Sequence, residues 1–191
     1  MKEKSTRSTA LRALCEGAIM VALSQVLSYL KFYELPQGGS VTLAMIPITF
    51  YCVRWGLGKG LMASFVFGVL QLLLDSAYAY TWQAMILDYV LAFGLLGFAG
   101  VFHGKKGGIF WGTLLGFTAR WICHTLSGVY VWAEYMPETF LGMPMTNIWI
   151  YSPIYNGVYM GLNLIITLAA FAALYKPMKR YVIGQDLQNS Q

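Results

Sequence analysis

The chain has 191 residues, 58% of them apolar and only 11% charged, with a mean hydropathy of +0.57. A soluble domain carries about 25% charged residues, so the composition excludes an ordinary soluble globule and indicates an integral membrane protein. The formal charge of +5 sits in short segments between apolar runs, which fits a lipid bilayer as partner and argues against nucleic acid.

Six spans are predicted, at about 10–30, 41–53, 57–75, 81–101, 109–132 and 153–175, within a single domain covering 1–191. The basic start MKEKSTRST precedes a long apolar run without a persuasive cleavage site, so that run reads as a retained first span. It carries Ala18 and Ala22 at small-xxx-small spacing, which suits close helix approach, whether in internal packing or against a partner. The second segment, VTLAMIPITFYCV, is short and contains Pro47, so an irregular or partly inserted element is expected. Span four contains Asp88, the only acidic residue deep in a span, followed by Tyr89. An aspartate at the centre of a membrane helix costs about 2.5–3.5 kcal/mol, and such residues face a cavity, a partner charge or a substrate path. Span five holds Arg120 and His124 and ends near Trp132. Before span six, Ser152-Pro153 reads as an N-cap followed by proline at the first helical position, placing Tyr151 outside the helix and Asn156 in its first turn. Lipid leaves only helices and closed barrels, and barrel alternation is absent. The fold class is therefore an all-α integral membrane protein, a six-transmembrane-helix bundle.

Eleven of the thirteen basic residues fall on one side of these spans, Lys31 and Arg120 being the exceptions. The positive-inside rule then makes both termini cytoplasmic. At about 1.5 Å per residue, Asp88 lies roughly 10 Å and His124 roughly 12 Å below the outer surface. Tyr78, in the loop before span four, joins Asp88, Tyr89, His124, Trp132, Tyr151 and Asn156 in the outer third. Two readings stand for these residues. The aromatics can form an interfacial belt, with His124 a packing residue and Asp88 paired to Arg120. Alternatively they line one pocket. A carboxylate among aromatic rings and polar edges suits a flat, cationic heteroaromatic solute.

Catalytic signatures are absent from the sequence. HExxH, GxSxG and GxxxxGK[ST] do not occur, and two histidines are too few for a multi-histidine metal site. Cys15, Cys52 and Cys123 form no CxxC pair and read as free thiols. No cofactor or metal is expected, and the chain is not expected to be an enzyme. A less favoured alternative is a membrane-embedded enzyme using Asp88 and His124 as an acid–base pair.

Several segments carry a family resemblance over almost the full length: CEGAIMVALS, AMIPITFYCVRWGLGKG, LDYVLAFGLLGFAG, RWICHTLSGVYVWAEY and YSPIYNGVYM. With them the chain resembles the thiamine-specific substrate-binding S-components of energy-coupling factor (ECF) vitamin transporters. The resemblance implies a high-affinity thiamine-binding subunit in a prokaryotic cell membrane. An S-component for another vitamin or a thiamine precursor is the nearest alternative. It implies that His124 and Trp132 stack on the thiamine rings, that Tyr151 and Asn156 hydrogen-bond the ligand, and that Tyr78 and Tyr89 line the pocket. Asp88 stands where the family can have a glutamate. A tryptophan that some members carry in the loop before span two is replaced here by LPQGGSV, with Trp149 a candidate substitute. The implied partners are an ECF transmembrane coupling subunit, docking on the Ala18 and Ala22 face, and two ATP-binding-cassette ATPases.

Overall fold

A computed structural model describes residues 2–75 and 80–188, with side chains for 8–75 and 80–187. Among the described residues, six helices of eleven residues or more form one bundle: α1 Lys2–Ser28, α2 Met45–Trp55, α3 Leu57–Leu74, α4 Trp82–Phe102, α5 Gly108–Tyr130 and α6 Ile148–Val182. Among the described residues, four stretches are long and apolar enough to cross a membrane: Ser8–Ser28, Leu57–Leu74, Trp82–Phe102 and Ile148–Leu187. Their large exposed side chains, such as Leu14, Ile19, Met62, Leu73 and Ile165, face outward as lipid requires. The polar Ser24, Gln25, Ser28 and Gln71 are buried inside.

Two elements differ from the sequence expectation. The second segment is a regular helix, and ten of its eleven residues are buried. At about 1.5 Å per residue it is too short to cross a bilayer core of about 30 Å, and it forms the centre of the bundle instead. Pro47 is its third residue, where the backbone N–H has no intrahelical partner to lose. The last helix begins at Ile148, five residues before Pro153. Asn147 is the cap, its side chain accepting from the Trp149 N–H at 2.8 Å. Tyr151 is thus inside the helix and Asn156 lies beyond its first turn. Pro153 removes one intrahelical bond without ending the helix.

Helix α4 is not uniform. It starts as an α-helical turn capped by the Thr81 hydroxyl, widens to a π-helix over Met85–Leu91, returns to α over Ala92–Gly94 and tightens to 3-10 over Leu95–Phe102. Asp88 sits in the π segment, a geometry that recurs at functional sites. Further along, α4 packs backbone to backbone on the start of α3. A Cβ on Gly100 would lie 2.5 Å from the Gly56 carbonyl carbon, the close approach that small residues allow in membranes.

The end of the bundle that carries both termini is closed by ions. Arg54, 3% exposed, donates to Glu16 of α1, to the Tyr181 carbonyl and to both carboxylate oxygens of Asp186, at 2.7–3.1 Å. Arg12 also reaches Glu16 and Asp186, and the Trp55 indole donates to Glu16. The first helix, the central helix and the closing turn Gln185–Gln188 are thereby tied together.

Candidate functional site

At the opposite end, α1 leads into a small antiparallel hairpin pairing Tyr33–Glu34 with Ser40–Val41. Its turn needs glycine twice, for different reasons. Gly38 has φ 88°, which L side chains rarely adopt. Gly39 lets the hairpin descend onto α6, because a Cβ there would meet the Tyr159 ring at 2.5 Å. The Gly39 N–H donates to the Tyr155 hydroxyl at 3.3 Å. Gln37 links the hairpin tip to α6 by accepting from the Tyr151 hydroxyl at 2.8 Å, and donates to the Tyr135 carbonyl.

Beneath this hairpin lies a cavity of about 140 Å³. Asp88, Tyr89, His124, Trp132, Tyr151 and Asn156 all line it. Tyr78 lies outside the described residues. Trp149 is 53% exposed and packs edge-on against Tyr130 at 6.0 Å. It therefore does not replace the loop tryptophan; the glycine turn of the hairpin closes that side instead.

Asp88 engages three side chains of the cavity wall. Its Oδ1 is 2.9 Å from His124 Nδ1, and its Oδ2 accepts from the Ser127 hydroxyl at 2.7 Å and the Trp132 indole N–H at 2.8 Å. A carboxylate offers about four acceptor sites, so the described residues fill three of them and leave one. The direct pair with Arg120, one of the two sequence readings, does not form. Arg120 donates instead to His124 Nε2 at 3.2 Å and lies over the Phe93 ring at 4.0 Å. The physical reason is that both Asp88 oxygens are taken by His124 Nδ1, Ser127 and Trp132, while the Arg120 guanidinium is held on the Nε2 side of the imidazole, over Phe93 and against Met45.

Asn156 is held from several directions. Its amide donates to the Ser152 and His124 carbonyls, and its Oδ1 accepts from the Tyr159 hydroxyl at 2.9 Å. Sequence reasoning missed Tyr155 and Tyr159, which extend Tyr151 into a ladder with ring centroids 5.5 and 6.0 Å apart. Their signal was present: three tyrosines at i, i+4 and i+8 share one helix face. It also missed Gln37 and the mouth residues Lys31, Glu34 and Asp75. At the mouth, Lys31 lies 2.9 Å from Glu34 and 3.8 Å from Asp75.

Among the described residues, the charged groups lining the cavity are Lys31, Arg120, Glu34, Asp75 and Asp88. With His124 neutral, three carboxylates against two cations leave one net negative charge. Aromatic walls, one surplus negative charge and a carboxylate with an acceptor site to spare favour a monocation with a flat ring.

Residues 14–183 match the family model described as thiamine transporter protein. The thiamine transporter ThiT of Bacillus subtilis (strain 168) is 32% identical, over 91% of this chain and 95% of its own length. That of Lacticaseibacillus paracasei is 26% identical, over 92% of each. The solved structure of ThiT from Listeria monocytogenes superposes with a TM-score of 0.79 at 24% identity, covering 91% of this chain and 98% of that one. This last likeness bears on the fold.

Proposed function

This chain belongs to the thiamine transporter protein family, and on that premise we propose that the cavity binds thiamine as the capture step of its uptake. The observation that carries this reading is Asp88, a carboxylate inside an aromatic cavity with one surplus negative charge. Thiamine is a monocation with two flat heteroaromatic rings, one bearing an exocyclic amine that can donate to the remaining acceptor site. Trp132, His124, Tyr89 and Tyr151 offer ring faces or edges to it, and Asn156 holds His124 and Tyr159 in register. Titrating the purified protein with thiamine should quench tryptophan fluorescence saturably at micromolar ligand or below, and Trp132→Phe should remove most of the change. The absence of a saturable response would overturn the reading.

The hairpin contributes by closing the cavity. Gly39→Val sets a branched side chain against the Tyr159 ring and lifts the turn. Overpacking of this kind costs about 1–3 kcal/mol, so calorimetry should show thiamine binding weakened by about tenfold in a protein that still folds. Unchanged affinity would mean that the hairpin does not close on the ligand.

Binding alone does not drive uptake, and no nucleotide-binding motif occurs in the sequence. The proposed role is that of an S-component working with an ECF transmembrane coupling subunit and two ATP-binding-cassette ATPases in a prokaryotic cell membrane, with both termini cytoplasmic. Ala18 and Ala22 are both exposed on α1, which supports an outward docking face rather than internal packing. The enzyme alternative loses its appeal at His124, because both ring nitrogens are already engaged, by Asp88 and by Arg120. The relatives are named transporters.

A further inference from the structure

Arg120 is a buried cation, 8% exposed, with no ion pair among the described residues. Its surroundings are the Phe93 ring, the sulfur of Met45 and the imidazole of His124. A guanidinium has donors only and does not lose its proton in proteins. The bond from Arg120 Nε to His124 Nε2 at 3.2 Å therefore requires Nε2 to be the acceptor and to carry no hydrogen. The single hydrogen of a neutral imidazole must then sit on Nδ1, 2.9 Å from Asp88 Oδ1, and Asp88 must accept it. A doubly protonated ring would turn an N–H toward the guanidinium, donor against donor and cation against cation.

We propose that Arg120 is a positioning residue of the site, acting through His124: it holds the imidazole as the neutral Nδ1–H tautomer. Without it, an imidazolium on Asp88 would cancel, inside the cavity, the negative charge that the cationic ligand is to meet. Arg120 keeps that charge available and keeps the imidazole ring aligned between Asp88 and Tyr159, whose ring lies edge-on at 6.3 Å. Stacking on Phe93 suits a planar guanidinium, which lysine cannot imitate. The inference rests on the reading of the cavity as the thiamine site for its effect on affinity, but its claim about protonation stands apart from any ligand.

The test is the nitrogen spectrum of the histidine side chains in the purified protein. The chain has two histidines, and His103 is assigned by its disappearance in His103→Gln. With 15N-labelled histidine at neutral pH, wild-type His124 should show a protonated Nδ1 and an unprotonated Nε2. In Arg120→Met the unprotonated Nε2 signal should be lost, to tautomer exchange or to double protonation, and thiamine should bind at least about tenfold more weakly. Arg120→Lys should restore the tautomer and part of the affinity. Wild-type His124 protonated at Nε2 would overturn the inference, as would an unchanged nitrogen pattern in Arg120→Met or an altered pattern with unchanged affinity. Should Arg120→Met not fold, the wild-type and Arg120→Lys spectra still decide the tautomer. Failure of the wild-type protein to bind thiamine would sink the proposed function alone, leaving the protonation result to stand or fall by the spectrum.

Discussion

Asp88→Asn is expected to weaken thiamine binding by about a hundredfold, ~2.7 kcal/mol. Two losses combine. The countercharge for the ligand disappears, and the protein network around it no longer closes. Ser127 and Trp132 both donate to Oδ2 while His124 faces Oδ1, so an asparagine that keeps its oxygen toward the first two turns its NH2 toward His124 Nδ1. That nitrogen would have to become an acceptor, yet Nε2 is already confronted by Arg120. Hydrogen bonds to charged groups contribute about 1.5–3 kcal/mol, enough for the predicted effect. Asp88→Glu retains the charge but adds a methylene, and should fall between the parent and Asp88→Asn. Calorimetric titration of the folded variants is the measurement. Affinity within about twofold of the parent in Asp88→Asn would mean that Asp88 serves packing, not recognition.

Arg54→Met is expected to lower stability by about 3 kcal/mol. Its guanidinium is almost fully buried, and its donors reach α1, the closing turn and the backbone of α6. Removing one partner of a buried ion pair costs about 3–5 kcal/mol because the other charge stays behind. The lower end applies, since Arg12 remains on both acids and Glu16 is about a quarter exposed. Thermal unfolding of the purified protein should show a clearly lowered Tm, and Arg54→Lys should lie between, lacking the planar fork that spans both carboxylates. Because the clamp and the cavity occupy opposite ends of the bundle, the variant should still bind one thiamine per chain at low temperature. A Tm equal to that of the parent would show the clamp to be energetically idle.

Much of the site was legible before any fold was known. Depth counting along Asp88, His124 and Trp132 brought them to one level, and the helices gather them around one carboxylate. The Tyr151–Tyr155–Tyr159 ladder was equally visible as a spacing of four, but a tyrosine-rich helix end also reads as an interfacial belt. The partner of Asp88 was not legible. Arg120 and His124 lie one turn apart on α5, and choosing between them requires the direction of a single carboxylate. Nothing in the residue types of MILDYVL announces that those residues wind as a π-helix, or that the carboxylate meets Ser127 and Trp132 beside the imidazole. The loop LPQGGSV read as a missing aromatic wall. In the fold its glycines are what allow the hairpin to rest on Tyr159.

What the sequence alone determined is membership of the membrane class, the number of helices and the presence of a costly carboxylate within them. These follow from quantities that add along the chain, such as the hydropathy of a span, and need no knowledge of neighbours. What only the tertiary structure decided is orientation around each helix axis. It turned α2 into a buried centre instead of a spanning helix, started α6 at Ile148 behind an Asn147 cap, sent Trp149 outward and set Asp88 on His124 in place of Arg120. Those outcomes depend on which faces meet when helices pack, and on close contacts such as Gly39 against the Tyr159 ring that no single segment specifies by itself.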